Sequence, residues 1–172
     1  MNYKMVMQYD GTRYDGWQKQ GNTGNTIQGR LEAVLSRFAG EPVEVQGAGR
    51  TDAGVHAYGQ TANFRIQTDA KEEEVLVYLN RYLPEDIEVL SVERVHDRFH
   101  ARLSAVQKTY LYRVGMGRGK HVFDRKYLYH FDGSLDVKAM EEAAGYLRGT
   151  HDFKSFCSNR RMKKSTTRTL HM

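Results

Sequence analysis

From Asn2 to Tyr9 the side chains alternate, with Met5, Met7 and Tyr9 on one side and Lys4, Val6 and Gln8 on the other, which is the period of a strand with one buried face. A polar, glycine-rich stretch follows from Asp10 to Gly24. Ile27, Leu31, Val34, Leu35 and Phe38 then recur at helical spacing, so a helix opening near Asn25 buries one stripe and ends at Gly40 and Pro42. Val43 and Val45 begin a second strand that runs into a loop from Gly47 to Gly54. A third strand is predicted between Val55 and Ile66, where residues 60–66 alternate. Thr68 or Asp69 is suited to cap a second helix, marked by Val75, Leu79 and Tyr82 and stopped by Pro84. Ile87, Val89, Val92 and Val95 supply a fourth strand.

Read in order, these elements spell β-α-β-β-α-β, an α+β fold of ferredoxin-like type with a mainly antiparallel sheet and both helices on one face. We assign this domain to residues 1–104. Residues 105–172 start the pattern again, with a strand expected from Lys108 to Val114, a helix from Asp136 to Leu147 carrying Val137, Met140, Ala144 and Leu147, and a strand from Thr166 to Leu170. They read as the incomplete first part of a second, similar domain. Such a fragment leaves sheet edges unpaired and buries little, so we expect residues beyond 172 in the native protein, or another chain, to complete it.

Composition narrows the function classes. No run approaches the roughly 18 apolar residues of a membrane span, and the first ten residues lack the apolar core of a secretory signal, so the expectation is a cytoplasmic protein with no membrane partner. Cys157 is the single cysteine and seven histidines are scattered, which gives no metal-binding spacing. His96 and His100 stand four apart, but a zincin-type pair needs a helix and a glutamate where Asp97 stands. We expect no metal. The net charge of +5 is concentrated: residues 150–172 carry Lys154, Arg160, Arg161, Lys163, Lys164 and Arg168 against Asp152 alone, while residues 1–149 hold twenty charges of each sign. That run is either a solvated tail or a phosphate-docking surface.

The chemistry is concentrated in Gly47-Ala48-Gly49-Arg50-Thr51-Asp52-Ala53-Gly54-Val55-His56. Three glycines within eight residues allow positive φ and close backbone approach, with a cation and a carboxylate two positions apart. By itself this is either a hairpin connection with an Asx-type turn at Asp52 or a ligand-binding loop. The longer string GAGRTDAGVHAYGQTANF at 47–64, with YDGTRYDGWQKQ at 9–20, FHARLSAVQKTYLYRV at 99–114 and HDFKSFC at 151–157, resembles the tRNA pseudouridine synthases that modify positions 38–40 of the anticodon stem-loop. The resemblance extends over nearly the whole chain.

It implies an isomerase that converts uridine to its C-glycoside with no cofactor and no metal. Asp52 matches the family's nucleophile, which attacks ribose C1′ or uracil C6 before the base is detached, rotated and rejoined through C5. A carboxylate is ionised at neutral pH and needs no activating base. The target base must first leave its stack, at about a few kcal/mol. Arg50 matches the residue that assists this step, and Tyr110 the tyrosine that lies against the flipped uracil, where stacking returns roughly 1–3 kcal/mol. Phe99, His100, Ala101, Arg102 and Leu103 match one RNA-contacting loop, and Asn159, Arg160 and Arg161 another. Trp17 is assigned equally to RNA contact and to core packing. The family acts as a homodimer on tRNA, and its chain continues beyond this point with a Met-Val-Arg block whose arginine pairs with the nucleophile. We therefore expect residues 1–172 alone to be poorly active. The competing class is a non-catalytic RNA-binding module, since ferredoxin-like sheets bearing aromatics bind single-stranded RNA. A zinc base deaminase is excluded, because one cysteine cannot supply its P-C-x-x-C ligands.

Overall fold

Alternation along the first strand is realised in full: β1 (Asn2–Tyr9) buries Tyr3, Met5, Met7 and Tyr9 and leaves Lys4, Val6 and Gln8 half-exposed. This computed structural model describes residues 1–21, 23–158 and 165–171, and its backbone divides into two units, Met1–Leu111 and Tyr112–Met172. In the first unit β1 lies inside a four-stranded sheet with β2 (Val45–Gly47), β3 (Ala57–Arg65) and β4 (Ile87–Val95), in the order β2-β3-β1-β4. Every neighbouring pair is antiparallel. With the helices α1 (Ile27–Ala39) and α2 (Glu72–Tyr82), the order is the β-α-β-β-α-β of a ferredoxin-like domain.

Both helices set their apolar stripes on one sheet face. Ile27, Leu31 and Leu35 of α1 and Val75 and Leu79 of α2 are fully buried in one core with Met5, Met7, Phe64 and Val89. Each such side chain contributes roughly 1.5–3 kcal/mol through burial. Thr26 caps α1 by accepting from Gly29 N at 3.1 Å, and Gly40 closes it at φ 71°, a conformation suited to glycine. The start of α2 differs from expectation. Thr68 Oγ1 accepts from Ala70 N, and the N-cap is Lys71, whose N–H donates to the Glu74 carboxylate at 2.7 Å. Three glutamates in the first turn complement the positive helix end, so no capping hydroxyl is needed there. Tyr82, which marked the helix stripe, stands exposed on the rim against Tyr78, with the guanidinium groups of Arg37 and Arg81 over its ring.

The opposite sheet face is polar, with Lys4 paired to Glu93 at 2.5 Å and Gln8 to Glu88 at 2.5 Å. At one end the chain folds back over it. Asn2 and Asn63 point to that face yet are buried, because Asn2 Nδ2 donates to the carbonyls of His96 (3.1 Å) and Phe99 (2.9 Å) and Asn63 Oδ1 accepts from Ala101 N at 2.8 Å. Asn63 Nδ2 donates to Asn2 Oδ1 at 3.2 Å and joins the two. This amide pair seats residues 96–104 on the sheet.

A second anchor lies at the other end of β1. Asp10 N donates to Asp86 O at 2.9 Å, and the Asp86 carboxylate accepts from Arg13 at 2.7 and 2.9 Å and from the Tyr14 hydroxyl at 2.6 Å. Burial, and then the bond to Asp86, push the Tyr14 hydroxyl up to about 12.

In the second unit β5 (Val114–Met116) pairs in parallel with β6 (Tyr129–Phe131), and β7 (Gly149–Asp152) pairs antiparallel with β8 (Thr167–Leu170). Between them α3 (Val137–Gly145) is capped by Asp136, which accepts from Ala139 N at 2.9 Å, and buries no side chain. The strand expected from Lys108 to Val114 is corrected. Residues 105–113 are irregular, and only Val114 enters a strand. Alternation at Tyr110, Tyr112 and Val114 satisfies a strand's pattern, but a strand also needs a partner edge, and none of the described residues supplies one to 108–113.

Two outcomes follow from these anchors. Asn63→Ala leaves Ala101 N–H buried without its acceptor, so chemical denaturation should show a loss of about 1–3 kcal/mol, with faster amide exchange confined to residues 96–104. An unchanged exchange pattern would remove the amide pair as the seat of that loop. Tyr14 keeps its proton more tightly in the folded than in the unfolded state. Its contribution is therefore complete below pH about 10 and lost between about 10 and 12. Tyr14→Phe should lose about 1.5–3 kcal/mol at neutral pH and reduce the steepness of alkaline unfolding in that window, as followed by circular dichroism.

Candidate active site

Loop 47–56 leaves the sheet at a fixed point. Ala48 N donates to Thr61 O at 2.7 Å and Gln60 Nε2 to Gly49 O at 2.8 Å, so its first turn belongs to β3's hydrogen-bonded neighbourhood. Thr51 then faces inward between two outward residues, Arg50 and Asp52, both exposed. The Thr51 hydroxyl lies 2.9 Å from Tyr9 Oη, and the Thr51 carbonyl accepts from Trp17 N at 2.9 Å. Burial pushes the Tyr9 hydroxyl above its ordinary value, which keeps it protonated and able to donate to Thr51. Further along, Val55 N turns back to Asp52 O at 3.2 Å, Gly54 N donates to Tyr14 O at 3.3 Å, and Gly11 N donates to His56 Nδ1 at 3.1 Å. The same Nδ1 lies 3.1 Å from Asp10 Oδ1.

The loop is thus strapped to the segment from Asp10 to Trp17, and glycines set the distance of approach. A Cβ on Gly11 would stand 2.0 Å from the Val55 carbonyl oxygen, and one on Gly16, whose φ is +94°, would stand 2.6 Å from Thr51 O. A Cβ on Gly47 would strike the Trp17 ring at 2.5 Å. Trp17 is 2% exposed and belongs to the core, and it also contributes to the lining of the cleft beside the loop.

Beside the loop opens a cleft of about 460 Å³ whose lining includes Arg50, His100, Arg102 and Lys108, with Glu44 the one carboxylate among its lining residues. Polar amides line its floor. Gln28 Oε1 accepts from Gln18 Nε2 (2.8 Å) and Lys19 N (2.9 Å), and Gln28 Nε2 donates to Val45 O and Glu32 Oε1, both at 3.0 Å. The buried Glu32 carboxylate also accepts from Val45 N at 3.1 Å and Lys19 Nζ at 3.2 Å. A cleft of about 410 Å³ beside Met1, Arg65 and Asp97 holds none of the motif residues.

Of the residues singled out in the sequence, the structure brings Arg50, His100 and Arg102 to one cleft. Asp52 is not in its lining; it stands exposed on the adjoining loop, and none of the described residues hydrogen-bonds its carboxylate. Tyr110 is 74% exposed. Phe99 is half-buried and Leu103 exposed, whereas Ala101 is buried with its N–H on Asn63 and serves to seat the loop. Asn159, Arg160 and Arg161 lie outside the described residues. His96 and His100 each use Nδ1 to accept a backbone N–H two residues on, from Arg98 and Arg102, both at 3.1 Å. They are local turn-formers, and no group of three metal-ligating side chains occurs among the described residues. Sequence reasoning missed Lys108, which donates to Ala48 O at 2.7 Å. Its position two residues before Tyr110 in the quoted 99–114 block was the available signal.

Comparison with known proteins agrees with these motifs. A family profile described as tRNA pseudouridine synthase matches residues 5–103. The tRNA pseudouridine synthase A 2 of Bacillus anthracis is 49% identical over 170 residues, which is 99% of this chain and 69% of the relative. The tRNA pseudouridine synthase A of Bacillus sp. (strain KSM-64) is 49% identical over 99% of this chain and 70% of its own length. The tRNA pseudouridine synthase A 1 of Clostridium tetani is 48% identical over 98% of this chain and 69% of its own. With the matched span, the strapped loop and these relatives together, the chain belongs to the tRNA pseudouridine synthase family.

Proposed function

We propose that this protein isomerises uridine to pseudouridine at positions 38–40 of the tRNA anticodon stem-loop, with Asp52 as the nucleophile. The observation that carries this reading is the RTD geometry. Thr51 is fixed on both its hydroxyl and its carbonyl, which presents Asp52 outward without a described side-chain partner and next to a cleft lined by Arg50, His100, Arg102 and Lys108. A polyanionic strand is attracted to such a cleft, and the carboxylate is left available for chemistry.

In the proposed reaction the Asp52 carboxylate attacks ribose C1′ or uracil C6. The C1′–N1 bond breaks, the base rotates, C1′–C5 forms, and the bond from the carboxylate to C1′ or C6 breaks to return free Asp52. The hydrogen carried by C5 leaves as a proton and N1 gains one, so product and substrate are isomers and no redox partner is consumed. Arg50, one residue from the fixed Thr51, is assigned to occupy or contact the place vacated by the extruded base. Tyr110 is assigned to stack on the uracil, and residues 99–103 with 159–161 to contact RNA. The reading includes a cytoplasmic homodimer, as the resemblance implies. Among the described residues no helix is long and apolar enough to cross a membrane.

Asp52→Asn should abolish tritium release from C5-labelled uridine in tRNA by at least about 10³-fold while leaving tRNA binding within a few-fold. A non-catalytic RNA-binding module predicts instead that the wild-type protein releases none. Arg102→Ala should weaken tRNA binding and lower the slope of log affinity against log salt by about 0.7–0.9, measured by filter binding from about 50 to 200 mM salt. A slope equal to wild type would remove Arg102 from the phosphate contacts.

A further inference from the structure

Between Ser104 and Val114 the chain has no regular structure, and its side chains from Arg102 to Leu111 are exposed. Tyr110 sits in that stretch at 74% exposure, so neither a ladder nor a core holds it. One described side-chain bond ties 105–111 to the rest of the first unit: Lys108 Nζ donates to Ala48 O at 2.7 Å. Its acceptor belongs to a part of the loop that is itself bonded to β3. Ala48 is 8% exposed, its N–H donates to Thr61 O at 2.7 Å, and the neighbouring Gly49 carbonyl is taken by Gln60. Four residues further along lies Asp52, and two residues beyond Lys108 lies Tyr110.

We propose that Lys108 is a positioning residue for the reaction: by holding its ammonium on the Ala48 carbonyl, it docks the segment bearing Tyr110 to the loop bearing Asp52. The inference rests on the assignments of Asp52 and Tyr110 made above. Two residues of extended chain span at most about 7 Å from the Lys108 backbone, so anchoring Nζ at the end of its flexible stem limits how far the Tyr110 backbone can move from the loop. Without it, residues 105–111 keep no described side-chain bond to the first unit, and the tyrosine samples many orientations before it meets a base. An ionised donor on a carbonyl gives a short and comparatively strong bond, which suits a single-point tether. Lys108 also lines the cleft, so the rival role is a direct phosphate contact. The two roles separate experimentally. Loss of a phosphate contact weakens binding and lowers its salt dependence, whereas loss of a tether lowers turnover through misplacement.

The test compares Lys108→Met, which keeps length but loses donor and charge, with Lys108→Arg, which keeps both. Steady-state tritium release from tRNA and the salt dependence of tRNA affinity are measured in the intact protein. In parallel, a nitroxide on Val106→Cys, in a Cys157→Ser background, reports mobility of the segment by electron paramagnetic resonance. The expected result for Lys108→Met is a narrower, more mobile spectrum and a kcat lower by about ten- to a hundredfold, with KM within a few-fold of wild type and a salt slope lowered by less than the roughly 0.7 of a direct phosphate contact. Lys108→Arg should recover both mobility and kcat. Unchanged mobility with a salt slope lowered by about 0.7–0.9 would overturn the tether in favour of a phosphate contact. Increased mobility with unchanged kcat would overturn it as well. Should the wild type release no tritium, the functional reading fails, and the mobility comparison still decides whether Lys108 tethers the segment.

Discussion

Thr51 is held by two groups that come from different parts of the chain, the hydroxyl of Tyr9 at the end of β1 and the N–H of Trp17 beyond the following loop. Its neighbours Arg50 and Asp52 are exposed on either side of this fixed, half-buried residue. The strap works only at backbone contact distance. Gly11 and Gly16 supply it, since any Cβ there would overlap the carbonyl oxygens of Val55 and Thr51. Gly16 adds a left-handed φ of +94° that other residues adopt at a cost. The polar loop 10–17 is therefore structural in the first instance, and Asp86, which holds its Arg13 and Tyr14, belongs to the same support.

The charged side chains lining the cleft beside the loop are mainly basic, with Glu44 the one carboxylate among them. Arg50, His100, Arg102 and Lys108 come from three separate segments of sequence, and the buried Glu32 is already committed to Val45 N, Gln28 and Lys19 and leaves their field intact. A cleft of this kind attracts a phosphodiester strand over distances comparable to the Debye length, about 8–10 Å at physiological salt. His100 contributes as a shaped donor. Its Nδ1 accepts from Arg102 N, so in the neutral ring the hydrogen is on Nε2.

The sequence made β1, α1, β3, α2 and β4 legible for one reason: each buries a single face against the same core, and burial on one face writes a period of two or 3.6 into the residues. Its motif strings also picked out the loop 47–56 and the segment at 9–20 to which that loop is strapped. What pattern could not supply was context. Tyr110, Tyr112 and Val114 alternate as a strand does, yet residues 105–113 have no pairing edge among the described residues and stay irregular. Thr68 is the better capping residue by chemistry, yet Lys71 takes the position because Glu74 satisfies its N–H and the glutamates of the first turn favour that start. Trp17 looked equally suited to core and ligand, and it is the burial of its ring, with Gly47 close against it, that puts it in the core. Lys108 was hidden for a related reason. A lysine that binds a backbone carbonyl leaves no trace in hydrophobic pattern or charge count.

On the proposed reading, the contrast between Asp52 and Tyr110 has a physical rationale. A nucleophile must meet one carbon at bonding distance, so freedom in its loop would cost rate directly, and four contacts to the 9–17 segment remove that freedom. A stacking partner has a different task. It must clear the path of an incoming nucleotide and then close on a flat face whose exact placement is not known until the base has left its stack. A segment tied at one point can do this, since the tether limits how far the ring strays while leaving it free to rotate onto the base. The stacking energy of roughly 1–3 kcal/mol is then gained after extrusion and offsets part of a cost of about a few kcal/mol. An exposed tyrosine on an irregular segment is in this view the complement of a carboxylate carried on a strapped loop, and both are referred to the same short stretch of backbone, Ala48 to Thr51.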